Sequence, residues 1–249
     1  MIVLKTSHEL SLMKAACQLS AQALQIAGEA VKPGVSTWEI DKIAHDYIVK
    51  HGGRPNFLGY AGYPATACIS VNHQVIHGIP SKKVILKEGD IVSIDLVAEL
   101  HGYQGDNAAT FAVGAIAPEA QRLMDVTEQA LYKGIEAALS GGRIGDISSA
   151  VQQHAEGAGF SVVRQFVGHG IGTKLHEEPE VPNFGTAGRG VRLIPGMTLA
   201  IEPMINMGAP AVRTLSDGWT VETADGQLSA HFEHTIAITS NGPVILTRP

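Results

Sequence analysis

ALQIAGEAVKPGVSTWEIDKIAHDYIVKHGG (23–53) and ALYKGIEAALSGGRIGDISSAVQQHAEGAGF (130–160) are two versions of one pattern. At a constant offset of 107 residues Leu24 meets Leu131, Glu29 meets Glu136, Ala30 meets Ala137, Gly34 meets Gly141 and Ile40 meets Ile147. The same offset carries GDIVSID (89–95) onto GMTLAIE (196–202), aligning Gly89 with Gly196, Ile94 with Ile201 and Asp95 with Glu202. Between these blocks HGIP (77–80) answers HGIG (169–172) at an offset of 92. Helices, HGI and a carboxylate strand recurring in one order define a duplicated half-domain around a pseudo-twofold axis; a period this long is not that of a solenoid.

Within each half the order is two helices and then strands. Thr6 and Ser36 each precede a glutamate by three residues, the spacing of a capping box, and place helix starts there. Leu12, Ala16, Leu19, Ala23, Ile26 and Ala30 recur at helical intervals, and Lys32-Pro33-Gly34 stops the first helix. The second helix is expected to turn Trp38, Ile43, Tyr47 and Ile48 inward and to end at Gly52-Gly53. IVSIDLVAEL, MTLAIEPMIN and HFEHTIAIT alternate or run apolar, as strands do. The chain therefore reads as one α+β domain over residues 1–249, with halves of about 1–125 and 126–249 and a largely antiparallel sheet backed by helices.

Composition bounds the function without naming it. With 249 residues, 45% of them hydrophobic and 17% charged, the chain can bury a sizeable core. A formal net charge of −6 gives no footprint for nucleic acid or an anionic membrane. Two cysteines without a CxxC pair, no signal-peptide pattern and no long apolar run lead to the expectation of a reduced, cytoplasmic protein.

Carboxylates stand where a sheet does not ordinarily hold them. With period 2, Asp95 shares a strand face with Ile91, Ser93, Val97 and Glu99, and Glu202 and Glu233 interrupt similar strands. Asp106 follows Asp95 across a turn at His101-Gly102, so a hairpin is expected to bring the two side by side. Any one of these acids alone is read most simply as solvated on an exposed face. Four of them at related positions in two halves repel unless a cation lies among them. Oxygen donors with few histidines and no cysteine cluster argue against structural zinc and suit Mn, Mg or Fe(II), and an added imidazole favours the transition metals. Four carboxylates exceed what one ion needs, which points to two divalent metals about 3.5–4 Å apart.

GHGIGTKLHEEP (168–179) supplies imidazoles, His169 and His176, from a stretch too rich in glycine for a helix. Its glycines are expected to let the backbone pass close to a substrate and a metal pair. His8, His45, His51, His73, His101, His154 and His231 are read as surface residues, and His234, opposite in direction to Glu233, as a residue behind the ligands.

His77 in HGIP, Asp95 and Asp106 in IDL…GDNA, His169 and His176 in GHGIG…HEEP, Glu202 in IEPM and Glu233 in FEHT together resemble the type I methionine aminopeptidases, over essentially the whole chain. The resemblance implies the pita-bread (creatinase/aminopeptidase-like) fold and removal of the initiator methionine from nascent polypeptides, with a small second residue preferred. It implies two divalent ions (Mn, Fe(II) or Co) held by Asp95, Asp106, His169, Glu202 and Glu233, of which Asp106 and Glu233 bridge. It makes Glu202 the acceptor of a proton from water, places His77 and His176 at the scissile amide, and builds a methionine pocket from Tyr60, Tyr63, Cys68, Leu175, Trp219 and Phe57. A monomer acting on nascent chains at the ribosome is the implied setting. Phe57, Leu175, Asn107 and Ala200 depart from residues common in that family, which bears on affinity and metal preference.

The rival readings are a Xaa-Pro aminopeptidase or dipeptidase of the same fold, and a non-catalytic pita-bread module that binds peptide. The first usually carries an N-terminal domain, for which a helix opening at Thr6 leaves no room. The second typically loses ligands. Met1 precedes the bulky Ile2, so the family's preference for a small second residue implies that the chain keeps its own methionine.

Overall fold

The computed structural model describes residues 1–248. The first half folds as α1 (Ser7–Glu29), α2 (Thr37–Lys50), β1 (Arg54–Pro55), β2 (Ala67–Val71), β3 (Gln74–Ile76), β4 (Ile91–Leu100) and β5 (Tyr103–Ala112). The second half gives α3 (Pro118–Ala137), α4 (Ile144–Gly157), β6 (Ser161–Val162), β7 (Gly168–Gly170), β8 (Glu177–Val181), β9 (Thr198–Ile201) and β10 (Met204–Asn206). It is completed by β11 (Val212–Thr214), β12 (Val221–Thr223), β13 (Ser229–His231), β14 (Glu233–Thr239) and β15 (Gly242–Ile245).

Both capping boxes form as the spacing predicts: Glu9 Oε2 accepts from Thr6 N at 2.8 Å, and Glu39 Oε2 from Ser36 N at 2.8 Å. Helix α2 buries Ile48 as expected and half-buries Ile43 and Tyr47, but the centre of its inward stripe lies one residue round from the expected one. Ile40, Ala44 and Ile48 are its buried apolar residues, while Trp38 is exposed with the Lys82 ammonium over its ring.

The 107-residue offset recurs in single hydrogen bonds. Gly34 N donates to Leu86 O and Gly141 N to Leu193 O, both pairs separated by the 107-residue offset. Gly34, Gly141, Gly89 and Gly196 take φ of 91°, 88°, 91° and 94°, a left-handed turn that glycine adopts without strain. The large sheet runs β1-β4-β5-β14-β9-β7-β8, with β2 also on β4 and β15 also on β14. The order is near-palindromic about the β5–β14 junction, where the two halves join. Helices α1 and α2 cover the first half through Ile40, Ile48, Val92, Ile94 and Leu96; α3 and α4 cover the second through Leu123, Leu131, Ile147, Leu199 and Ile201. The sheet face away from the helices is left for chemistry.

One sequence echo is not a structural equivalence. His169 lies on β7 opposite Ala200. The first-half counterpart of Ala200 is Ser93, whose partner on β2 is Ser70. His77 instead follows β3, which pairs with β12 in a separate three-stranded sheet. The HGI match records local sequence and not a shared place in the ladder.

Candidate metal centre

Strand register assembles the acids. The β4–β5 hairpin turns at His101 (φ 54°) and Gly102 (φ 80°), the positive-φ pair that matches strand twist in a two-residue loop. Asp106 opposes Val97 and so lies diagonal to Asp95 on the same face, rather than directly beside it. Asp95 and Glu233 both register on Ala108, from opposite sides of β5. Extending the β14–β9 register by one pair sets Glu202 opposite Glu233. A methyl group at Ala108, flanked by acids on both sides, leaves the space at the middle of this row open. Thr235 clamps the strand carrying Asp106: its hydroxyl donates to Asp106 O at 2.8 Å and accepts from Asp106 N at 3.3 Å.

The five expected ligands share one cavity, lined also by Phe57, Tyr60, Tyr63, Cys68, His77, His176 and Trp219. His169 Nε2 stands 3.7 Å from Asp106 Oδ2 and 3.5 Å from Glu202 Oε1. Atoms of Asp106, His169 and Glu233 lie within 4.8 Å of one another. His169 Nδ1 meets Gly170 O at 2.9 Å, which fixes the proton on Nδ1 and leaves the Nε2 lone pair facing the acids.

Burial sets the charge state without a cation. It raises Asp95 to about 7 and carries Asp106, Glu202 and Glu233 well above the carboxylate range, with their mutual repulsion adding to the effect. Burial lowers His169 and His77 to about 4, each with His176 as a further cause, and lowers His176 as well. The contacts of His169 with the acids are therefore those of a neutral imidazole beside protonated carboxyls and not ion pairs. Asp95 Oδ1, Asp106 Oδ1 and Glu233 Oε1 are buried with no hydrogen-bond partner. Orphaned buried oxygens of this kind, beside an imidazole lone pair, fit a divalent cation.

The apolar end of the cavity is aromatic. Tyr63 packs edge-on to Trp219 with ring centres 5.0 Å apart and to Phe57 at 6.2 Å, and the Cys68 thiol, kept protonated by burial, lies with them. Tyr60 OH meets His176 Nδ1 at 2.6 Å, and the His176 ring packs edge-on against His169 with centres 4.3 Å apart. Leu175 does not join this wall. It is buried behind it with Met13, Ala16 and Ile171, because its side chain points opposite to that of His176.

Three further expectations are corrected. His231 is not at the surface but 1% exposed, lowered to about 3 by burial, with Nε2 4.0 Å from Glu202 Oε2. His45 and His154 are half-buried, the former 2.9 Å from Thr66 Oγ1. The glycines of GHGIG serve strand packing: a Cβ on Gly168 would strike Ala200 O, and one on Gly170 would strike Glu178 O. Asn107 points away from the acids, its Oδ1 accepting from Ser20 Oγ at 2.6 Å. His234 turns to the other face and meets Thr247 Oγ1 at 2.9 Å. Ile76, Phe166 and Val167 also line the cavity and were not singled out from sequence. Phe166 and Val167 immediately precede the GHG strand, the one local signal that could have found them.

Comparison with known proteins gives the class first. The model of Metallopeptidase family M24 matches residues 11–240, and the chain belongs to that family. Within it the similarity is to methionine aminopeptidases. The methionine aminopeptidase of Clostridium perfringens (strain 13 / Type A) is 56% identical over 247 residues, covering 99% of each chain. Methionine aminopeptidase 1 of Bacillus subtilis (strain 168) is 50% identical over 248 residues, covering 100% of each. The crystal structure of methionine aminopeptidase from Rickettsia prowazekii matches at a TM-score of 0.98 and 43% identity over 100% of both chains. The prolidase from Pyrococcus horikoshii OT3 shares the fold at a TM-score of 0.80 and 23% identity, with this chain covering 64% of its length. Family and acid cluster together imply that the chain binds divalent metal. Among the described residues, no helix is long and apolar enough to cross a membrane.

Proposed function

We propose that the chain removes the N-terminal methionine from new polypeptides in the cytoplasm, acting as a metallo-exopeptidase and preferring a small second residue. One observation carries the reading: orphaned carboxylate oxygens and an aromatic, thiol-bearing pocket line the same cavity. A thioether packs well on ring edges, which is what the edges of Tyr63 and Trp219 offer. Full-length similarity to methionine aminopeptidases supports this substrate over the Xaa-Pro reading.

Asp95, Asp106, His169, Glu202 and Glu233 would hold two divalent ions of Mn, Fe(II) or Co. Bound there, the metal supplies Lewis-acid polarisation of the scissile carbonyl and makes water more acidic. The protein's own groups do the rest. Glu202, which lines the cavity, accepts a proton at a carboxylate oxygen from the water that attacks the scissile carbonyl and returns it to the amine as the C–N bond breaks. His176 is neutral and takes a hydrogen bond from Tyr60 at Nδ1, so its Nε2–H is free to donate to the oxygen on which negative charge develops. His77, held between the Phe166 and Trp219 rings, reaches the scissile amide from the opposite wall. Phe57, Tyr60, Tyr63, Cys68 and Trp219 seat the methionine side chain and exclude water around it.

The test is a peptide assay of Mn²⁺-loaded protein on Met-Ala-x, Met-Ile-x and Ala-Pro-x. Methionine is released from Met-Ala-x, more slowly from Met-Ile-x, and Ala-Pro-x is untouched. Cleavage of Ala-Pro-x alone overturns the reading.

A further inference from the structure

His231 ends β13 two residues before Glu233, and its surroundings are unusual for an imidazole. It is 1% exposed, and neither ring nitrogen has a hydrogen-bond partner. Its main chain is pinned to β5: His231 N donates to Thr110 Oγ1 at 2.9 Å, and the Thr110 hydroxyl donates to His231 O at 2.9 Å. The ring is thereby aimed at Glu202. His231 Nε2 stands 4.0 Å from Glu202 Oε2, while the other oxygen of that carboxylate, Oε1, faces His169 Nε2 at 3.5 Å. Glu202 thus lies between two imidazoles, one oxygen toward each. Its main chain is tied down separately, by Asn183 Nδ2 donating to Glu202 O at 3.0 Å.

We propose that His231 is a positioning residue for Glu202, its Nε2–H donating to Oε2 and so presenting Oε1 on the His169 side. The gap exceeds an N–H···O bond by about 1 Å, within reach of a small torsion in either side chain. A buried imidazole with no other partner gains a bond by closing it, and a carboxylate held at one oxygen loses the freedom to turn away from a cation. The inference rests on Glu202 being a metal ligand.

Calorimetric titration of the metal-free protein with Mn²⁺, together with Met-Ala-x kinetics, tests it. His231→Leu binds as many ions as the unaltered chain but about 10–100-fold more weakly. Its kcat falls with little change in KM, and His231→Gln, which keeps a donor at similar reach, restores both. Unchanged Mn²⁺ affinity in His231→Leu, or failure of Gln to rescue, overturns the proposal. Loss of one bound ion does so too, by making His231 a ligand. An unaltered chain that binds no Mn²⁺ overturns the metal reading itself, a result distinct from these. Thermal melts accompany each variant, and His231→Met, similar in volume, takes the place of Leu if that variant does not fold.

Discussion

Asp95, Asp106, Glu202 and Glu233 are acids in a buried place, and residue-scale chemistry follows from that conflict. Burial raises the pKa of each in the metal-free protein, so a cation that binds among them displaces protons. Asp106→Asn keeps the volume but removes the charge and one oxygen; it is expected to lose Mn²⁺ binding by calorimetry while retaining a cooperative melt. Glu202→Ala is expected to leave turnover of Met-Ala-x near the detection limit, and substantial remaining activity would remove Glu202 from the mechanism. Tyr60 acts one step away. If its hydroxyl donates to His176 Nδ1, the other ring nitrogen carries the proton that faces the cavity, and a bond of this kind contributes about 0.5–1.5 kcal/mol. Tyr60→Phe should therefore lower kcat roughly 2–10-fold, and an unchanged kcat would show that the tautomer is fixed by something else.

At the scale of elements, two contacts hold the site in place from outside. Helix α1 lies so close to β5 that a Cβ on Gly105 would come within 2.5 Å of Cys17 N and Ala16 O. Gly105 adjoins Asp106, so Gly105→Ala must push α1 or the ligand strand aside. The expected cost is about 1–3 kcal/mol, with weakened Mn²⁺ binding alongside; a melt within a degree of the original would mean that α1 can shift freely. The second contact is the ion pair of Lys5 with Glu177 at 2.6 Å, the two side chains 4% and 9% exposed. It ties the segment before α1 to the residue after His176. Lys5→Met strands a buried carboxylate, which costs about 3–5 kcal/mol and lowers Tm by roughly 6–20 °C in a chain of this size. A raised KM for Met-Ala-x would accompany the loss, because His176 is no longer anchored through its neighbour.

For the whole molecule, the proposed ligands are divided between the halves: Asp95 and Asp106 come from one, His169, Glu202 and Glu233 from the other. Folding forces them together, and stability without metal therefore depends on pH. The acids have folded pKa values above their unfolded ones, so their stabilising protons are fully present below about pH 4 and are lost as pH rises through about 7 at Asp95 and higher at the others. The buried histidines work in the opposite sense, their contribution present above 6.5 and lost as pH falls toward about 4. Above pH 6.5 only the acids operate. The Tm of metal-free protein should then fall as pH rises through about 7, and the increment given by saturating Mn²⁺ should grow with it. Scanning calorimetry with and without Mn²⁺ checks both, and a flat metal-free Tm would contradict the protonated state of the centre.

The internal repeat, the helix caps, the α+β class and the strand acids that meet in one cavity are legible in the sequence, because each is written in local spacing: a 107-residue offset, a three-residue capping box, an acid at the wrong phase of a strand. The hairpin that joins the strands of Asp95 and Asp106 is legible too, since Gly102 tolerates the positive φ a two-residue turn requires, and His101 and Gly102 take φ of 54° and 80°. What the sequence could not determine is the direction of side chains whose partners lie far along the chain. Leu175 reads as a pocket-wall residue and His231 as a surface one, yet their burial is decided by residues on other elements, such as Met13 and Ala16 for Leu175 and Thr110 for His231. The echo of HGIP in HGIG misled for the same reason, because equivalence in a sheet is a matter of register across strands and three matching letters carry no register. Only the tertiary structure set Ala108 between Asp95 and Glu233, turned Glu202 toward His169, and closed Tyr63, Cys68 and Trp219 around the same cavity.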